Sequence, residues 1–339
     1  MNLDDLQKLD SGGMYAHARA FADQCERALT LFDPACLPAK DFRSVAFCGM
    51  GGSALAGEFV QELIEDSCPI SCSVVRGLRL PQFVGPDALV VCSSYSGDTA
   101  ETLRLMQQAV ERGCTVVAVT SGGEMQRRAS SQNLSLIQLP SGLPPRAAFG
   151  LLLVPLIQMA AGFGWLEMPD YKSISASLRK SIEAWSLESA GKQNLALDLA
   201  THLHDKSVLV LSVREVAVAY RWKTLLNENS KMKAFAGAIP ESNHNELMAW
   251  GEKDEKDWRI LFLSTATESA EETRFKEAFE SQLTDGTIWH ETSVAEGSPL
   301  QRRLGLSLLG DFVSIYCAAM RGIDPSDIGR IEASKRFTG

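Results

Sequence analysis

The sequence predicts an α/β protein built twice over, each half a parallel sheet between layers of helices. Three observations carry that expectation. Short apolar runs at residues 44–48 (SVAFC), 88–93 (ALVVCS) and 115–120 (TVVAVT) alternate with helical stretches, the pattern of βαβ units whose strands are covered on both faces. Each run leads into a loop rich in Gly or Ser, and ligands of open α/β sheets bind at those carboxyl ends. The strand pattern then returns at 207–212 (SVLVLS) and 259–264 (RILFLS).

In chain order, residues 1–32 place Leu6, Leu9, Ala16, Ala20, Phe21 and Leu29 at helical spacing, and Asp33-Pro34 stops the pattern. Residues 1–35 therefore read as an N-terminal helical segment. Residues 36–167 form the first α/β domain, with a fourth strand candidate at 134–139. The uncharged stretch 147–166 has the length of a membrane span, yet it contains Pro155, Gln158, Gly162 and Gly164 and follows directly on Arg146, so a buried helix is expected. A charged helical stretch at about 168–192 opens the last part, 168–339, which holds a linker helix, the second α/β domain and a tail.

The two halves share more than strands. SSYSGDTAET at 93–102 and STATESAEET at 264–273 both read as strand end, hydroxyl-rich loop and a Glu-Thr opening the next helix. Only the first keeps the glycine and the full set of hydroxyls, so a phosphate site is expected in the first half.

Composition narrows the function. The 339 residues carry 33 Lys+Arg against 42 Asp+Glu, a formal net charge of −9, which argues against a nucleic-acid partner because phosphate neutralisation needs a clustered cationic surface. The eight cysteines are scattered without CxxC pairs, consistent with reduced thiols in a cytoplasm. The opening MNLDDLQKLD is acidic where an export signal is basic. No membrane partner is expected.

Two loops carry the first candidate chemistry. In CGMGGSALAG (48–57) the glycines, Gly52 among them, let backbone amides approach an anion at a helix N-terminus, with Ser53 beside them. A dinucleotide fold is the first rival, but it wants an acidic residue after the second strand, where this chain offers SSYSGDT. Ser94, Ser96 and Thr99 place three hydroxyls on one turn at a helix start, more than one N-cap uses.

GMGGSALAG followed by SSYSGDTAET resembles the sugar isomerase (SIS) domain of phosphosugar-binding proteins. Together with PSGLPPRAA (140–148), NENSK (227–231), PESNHNE (240–246) and a tail running from Asp324-Pro325 to Lys335, it resembles the bifunctional phosphoglucose/phosphomannose isomerase family over most of the chain. The resemblance implies two flavodoxin-like SIS domains with the active site at their junction. It implies a homodimer in which His244 serves the partner's site; no metal and no cofactor are expected.

Aldose-ketose isomerisation moves a proton between C1 and C2 through an enediol(ate), so it needs a carboxylate base, charge stabilisation at the oxygens, and an acid/base for ring opening. Glu228, next to Leu225-Leu226, is the candidate base, against the alternative of a surface helix glutamate paired with Lys231. Arg146, after two prolines, is a permanent cation for the enediolate. His244, between two asparagines in a loop, is assigned to ring opening by the resemblance, as is Lys335. His202 and His204 lack the acidic or cysteine neighbours of a metal site. Two departures stand out: Asp98 where the family usually has Asn, which puts a carboxylate beside the phosphate cup unless it caps a helix, and Glu332-Ala-Ser before Lys335 where a Leu is usual. The expected function is metal-independent interconversion of glucose 6-phosphate and mannose 6-phosphate with fructose 6-phosphate. The alternatives are a non-catalytic phosphosugar sensor and an amino-sugar phosphate isomerase.

Overall fold

The computed structural model describes all residues except 1–2, 37–39, 189–192, 251–255, 284–288, 295 and 339. The chain divides into two compact units, one of residues 22–171 and one in which residues 1–21 join 172–339. Helices α1 (Leu3–Leu9) and α2 (Met14–Arg19) therefore pack within the second of these, where Asp10 accepts the N–H groups of Met14 and Tyr15 at 2.8 and 2.7 Å and so caps α2.

Unit 22–171 takes α3 (Phe21–Ala28), β1 (Ser44–Gly49), α4 (Gly51–Ile64), β2 (Ser71–Val75), β3 (Ala88–Ser93), α5 (Ala100–Glu111), β4 (Thr115–Thr120), α6 (Gly123–Ser131), β5 (Ser135–Gln138) and α7 (Phe149–Gly162). Its five strands are parallel in the order β2-β1-β3-β4-β5, a flavodoxin-like arrangement. One face buries Ala46, Cys48, Val90, Cys92 and Ala118 against Leu105, Met106 and Met125 of α5 and α6. On the other helical layer Phe59 of α4 meets Phe149 of α7 edge-on with centroids 5.0 Å apart. The apolar stretch after Arg146 is this α7, buried along nearly its whole length.

In the other unit follow α8 (Tyr171–Trp185), α9 (Leu195–Leu203), β6 (Ser207–Ser212), α10 (Val216–Glu228), β7 (Ala234–Ala238), β8 (Trp258–Ser264), α11 (Ala270–Glu280), β9 (Trp289–Ser293), α12 (Pro299–Met320) and α13 (Gly329–Thr338). The sheet is again parallel, in the order β7-β6-β8-β9. The long α12 is apolar enough to cross a membrane by length and composition, but 83% of that window is buried as the central helix of this unit, packed on α9, α10 and α2. Trp222 of α10 donates its indole N–H to the Leu306 carbonyl at 2.8 Å, tying α10 to α12.

Three strands had no counterpart in the apolar-run reading: β2, β7 and β9. All three lie at sheet edges, where one side of the ladder is open and SCSVV, AFAGA and WHETS need not be wholly apolar. The first omission corrects the argument against a dinucleotide site. The second strand is β2, and it ends at Val75-Arg76, whose guanidinium pairs with Glu58. There is still no acidic ribose ligand at the strand end, though for a different residue than the sequence suggested.

Candidate functional site

Chain order reverses between β1 and β3, which lie side by side with Gly49 opposite Ser93. The loops that follow them thus open at one switch point, the place where parallel sheets bind ligands. Gly49 is required there by close approach: a Cβ would lie 3.0 Å from both the Ala54 nitrogen and the Ser93 carbonyl oxygen. Gly97, at φ 76°, turns the second loop, and a Cβ on it would strike the Gly122 carbonyl oxygen.

The hydroxyls converge. Ser94 Oγ and Thr99 Oγ1 are 2.9 Å apart, Ser94 Oγ accepts the Gly97 N–H at 3.1 Å, and Ser53 Oγ, from the first turn of α4, accepts the Tyr95 N–H at 3.3 Å. Ser96 is exposed and accepts weakly from the Asp98 N–H at 3.4 Å. Thr99 stands at the N-cap of α5, yet its side chain makes no cap bond; it faces Ser94 instead. The first turn of α5 therefore has no side-chain cap from its N-cap residue.

Asp98 is turned away from α5. Its Oδ1 accepts the Glu124 N–H at 2.8 Å, at the start of α6, where Gly122 has no side chain with which to cap. The departure from Asn is therefore a helix cap.

Arg146, 7% exposed, lies in a 3-10 turn of Pro145–Ala147 that ends just before α7. It stands beside α4: a Cβ on Gly52 would be 3.7 Å from the Pro145 carbonyl oxygen and 4.0 Å from the Arg146 Cα. Two residues that sequence reasoning missed hold this corner. Tyr95 donates its hydroxyl to the Pro140 carbonyl at 2.8 Å and accepts the Leu143 N–H at 3.2 Å, joining the SSYSG loop to the PSGLPPR loop, and burial pushes its phenol pKa up. Gln24 of α3 donates to the Ala147 carbonyl at 2.7 Å and accepts the N–H groups of Gly150 and Leu151 at 2.6 and 3.3 Å. A cavity of about 330 Å³ lies elsewhere in this unit, lined at the far end of α4 by Gln61, Glu65, Cys68 and Cys72. It includes none of the hydroxyls, and the cup is better defined by its donors than by enclosed volume.

In the other unit Glu228 is the last residue of α10 and is half-buried, less enclosed than a fully desolvated base. Its neighbours are fixed: Asn227 donates to the carbonyls of Met232 and Ala234, both at 3.1 Å, and the fully buried Asn229 donates to Ser314 Oγ at 2.9 Å. Lys231, at φ 53°, donates to the carbonyls of Asn229 at 3.2 Å and Asp324 at 2.8 Å. The NENSK segment is thereby tied to the start of the tail that carries Lys335 on α13, where Lys335 is exposed. His244 closes a 3-10 turn of Glu241–His244 and is also exposed. His202 and His204 lie at the end of α9, bonded through Nδ1 to the carbonyls of Asp198 and Thr201. Among the described residues no three or more His, Cys, Asp or Glu side chains gather as metal ligands, and none of the seven cysteines whose side chains are described is in a disulfide.

Two parallel sheets of this order, with a hydroxyl cup at a switch point, make the chain a two-domain SIS protein. Residues 192–337 match the model of the bacterial phospho-glucose isomerase C-terminal SIS domain. The fold superposes on glucosamine-6-phosphate deaminase of Thermotoga maritima with a TM-score of 0.68 at 15% identity, over 95% of this chain and 96% of that one. The chain is 32% identical to the bifunctional phosphoglucose/phosphomannose isomerase of Caldicellulosiruptor bescii over 88% of its own length and 90% of that protein's. It is 31% identical to the enzyme of the same name from Aquifex aeolicus, over 87% and 90%. The chain belongs to the bifunctional phosphoglucose/phosphomannose isomerase family.

Proposed function

We propose that this chain, a sugar phosphate isomerase by its family, interconverts fructose 6-phosphate with both glucose 6-phosphate and mannose 6-phosphate without a metal. The observation that supports this reading best is the cup of Ser53, Ser94 and Thr99 at the start of α5, whose N-cap threonine leaves the helix end without a side-chain cap. Hydroxyl donors and a helix N-terminus suit a phosphate dianion. Gly52 lies in the same turn beside Ser53, and Ser96 adds a hydroxyl at the exposed rim.

Roles follow from chemistry. Glu228 takes the proton from C2 of the open-chain aldose and returns it to C1, while the O2 proton moves to O1 and the carbonyl passes from C1 to C2. Arg146, which keeps its charge at any working pH, offsets the enediolate. His244 and Lys335 exchange protons with the ring oxygen and the anomeric hydroxyl during opening. A homodimer completes the proposal, with His244 serving the partner's site.

The test is fructose 6-phosphate in chelator-treated buffer, with the two aldoses followed separately. Both should form, and Glu228→Gln should slow both by roughly two to four orders of magnitude while phosphosugar binding survives. Binding without turnover in the wild type would make the chain a sensor; full activity in Glu228→Gln would remove the base assignment.

A further inference from the structure

The second sheet repeats the loop plan of the first. β6 lies beside β8 as β1 lies beside β3, and the loops after β6 and β8 lead into α10 and α11 as those after β1 and β3 lead into α4 and α5. The hydroxyl pair also recurs, Thr265 Oγ1 and Thr267 Oγ1 being 2.8 Å apart. In the first unit the helix that follows the first strand contributes only the small Ser53 to the neighbouring loop. Its counterpart contributes a carboxylate. Glu215, directly before α10 and 1% exposed, accepts the Thr265 hydroxyl at 2.7 Å on Oε1 and the Ser212 hydroxyl at 3.3 Å on Oε2.

Helix capping does not account for this carboxylate. Glu215 occupies the N-cap position of α10, but its side chain makes no cap bond; it reaches across to the β8 loop instead. Among the described residues the cation beside it is Arg303, whose Nε is 3.8 Å from Oε1 and is buried with no hydrogen-bond partner. Two strand-end hydroxyls, a helix N-terminus and a guanidinium with a buried Nε are the parts of an anion cup, and here the anion is covalently attached.

We propose that Glu215 is a built-in anion filling the second sheet's phosphate-type cup, and that removing its side chain opens this cup to inorganic phosphate. The tether explains the occupancy. A carboxylate held in place by its own backbone excludes a free anion that must give up translational freedom. Burial, the largest influence on Glu215, pushes its pKa up against the opposing effects of Thr265 and Arg303, so the cup holds this charge by attachment more than by affinity. Glu268 also faces the cup and takes the Ser264 hydroxyl at 3.0 Å. Its charge opposes a second anion, so weak binding, of about millimolar Kd, is expected.

The experiment is calorimetric titration of the full chain with inorganic phosphate, with the wild type, Glu215→Ala and Glu215→Gln side by side. The wild type's own uptake is subtracted, so the result does not depend on the isomerase reading. Glu215→Ala should gain one phosphate per chain, and adding Glu268→Gln should tighten it; Glu215→Gln should gain none, because the amide still fills the space. No gain in Glu215→Ala, or an equal gain in Glu215→Gln, overturns the proposal. If Glu215→Ala unfolds in buffer, a larger stabilisation by phosphate in the variant than in the wild type supports the proposal, and an equal or smaller one overturns it.

Discussion

Asp98 directs its carboxylate to a helix other than the one it precedes: Oδ1 accepts the backbone N–H of Glu124 at 2.8 Å, closing the start of α6. The acceptor, more than the charge, makes that cap. Asp98→Asn is expected to unfold in urea within a few tenths of a kcal/mol of the wild type, and Asp98→Ala to lose about 0.5–2 kcal/mol. If the two variants were equally stable, the cap would carry no energy.

Gln24 performs two tasks that one substitution separates. It caps α7 through the N–H groups of Gly150 and Leu151, and it holds the Ala147 carbonyl next to Arg146. Gln24→Ala leaves buried groups without partners and should cost about 1–3 kcal/mol. Gln24→Glu keeps the acceptor at the positive helix end but loses the donor to Ala147. It should also be less stable than the wild type, because a carboxylate oxygen then faces the Ala147 carbonyl, and kcat should fall, with KM little changed, if the turn must be held for Arg146 to act. Wild-type kcat in Gln24→Glu would show that the tether does not serve catalysis.

Residues 44–48, 88–93, 115–120, 207–212 and 259–264 were readable as strands because central parallel strands are buried on both faces, so their apolar runs are continuous. Edge strands β2, β7 and β9 lack that constraint and were missed. Within the first loops the cup was legible because Ser53, Ser94 and Thr99 all belong to two strand-helix junctions. Gln24 was not, because it lies 126 residues from Gly150 and no local pattern marks a long-range cap. Glu215 was overlooked for a related reason: before α10 it reads as an ordinary helix-start acid, and only the pairing of β6 with β8 brings it to Thr265.

A buried ion pair joins the helix that ends at Glu228 to the central helix of its unit. Arg221 Nη2 contacts Asp311 Oδ1 at 3.0 Å and Oδ2 at 2.8 Å, with side chains only 2% and 9% exposed. Asp311→Ala removes the two-oxygen partner of a buried guanidinium and should cost about 3–5 kcal/mol in equilibrium unfolding. The double change Arg221→Met with Asp311→Leu removes both charges and should recover most of that loss. A double variant as unstable as the single one would place the energy in packing rather than in charge.

His290 on β9 is expected to make this unit sensitive to acid. Burial lowers its pKa first, followed by the His202 ring, 5.1 Å away between centroids, and by Arg259, so the fold favours the neutral imidazole. Its folded pKa lies below the unfolded value of about 6.5. On acidification the unfolded chain therefore binds the proton first, and stability falls as pH drops through that value until the folded pKa is passed. His290→Gln should flatten this part of the stability profile, where pH falls below the unfolded value, measured as the urea midpoint against pH, while leaving the slope set by carboxylates at lower pH. An unchanged profile would mean that the pair of imidazoles is not what couples this unit to protons.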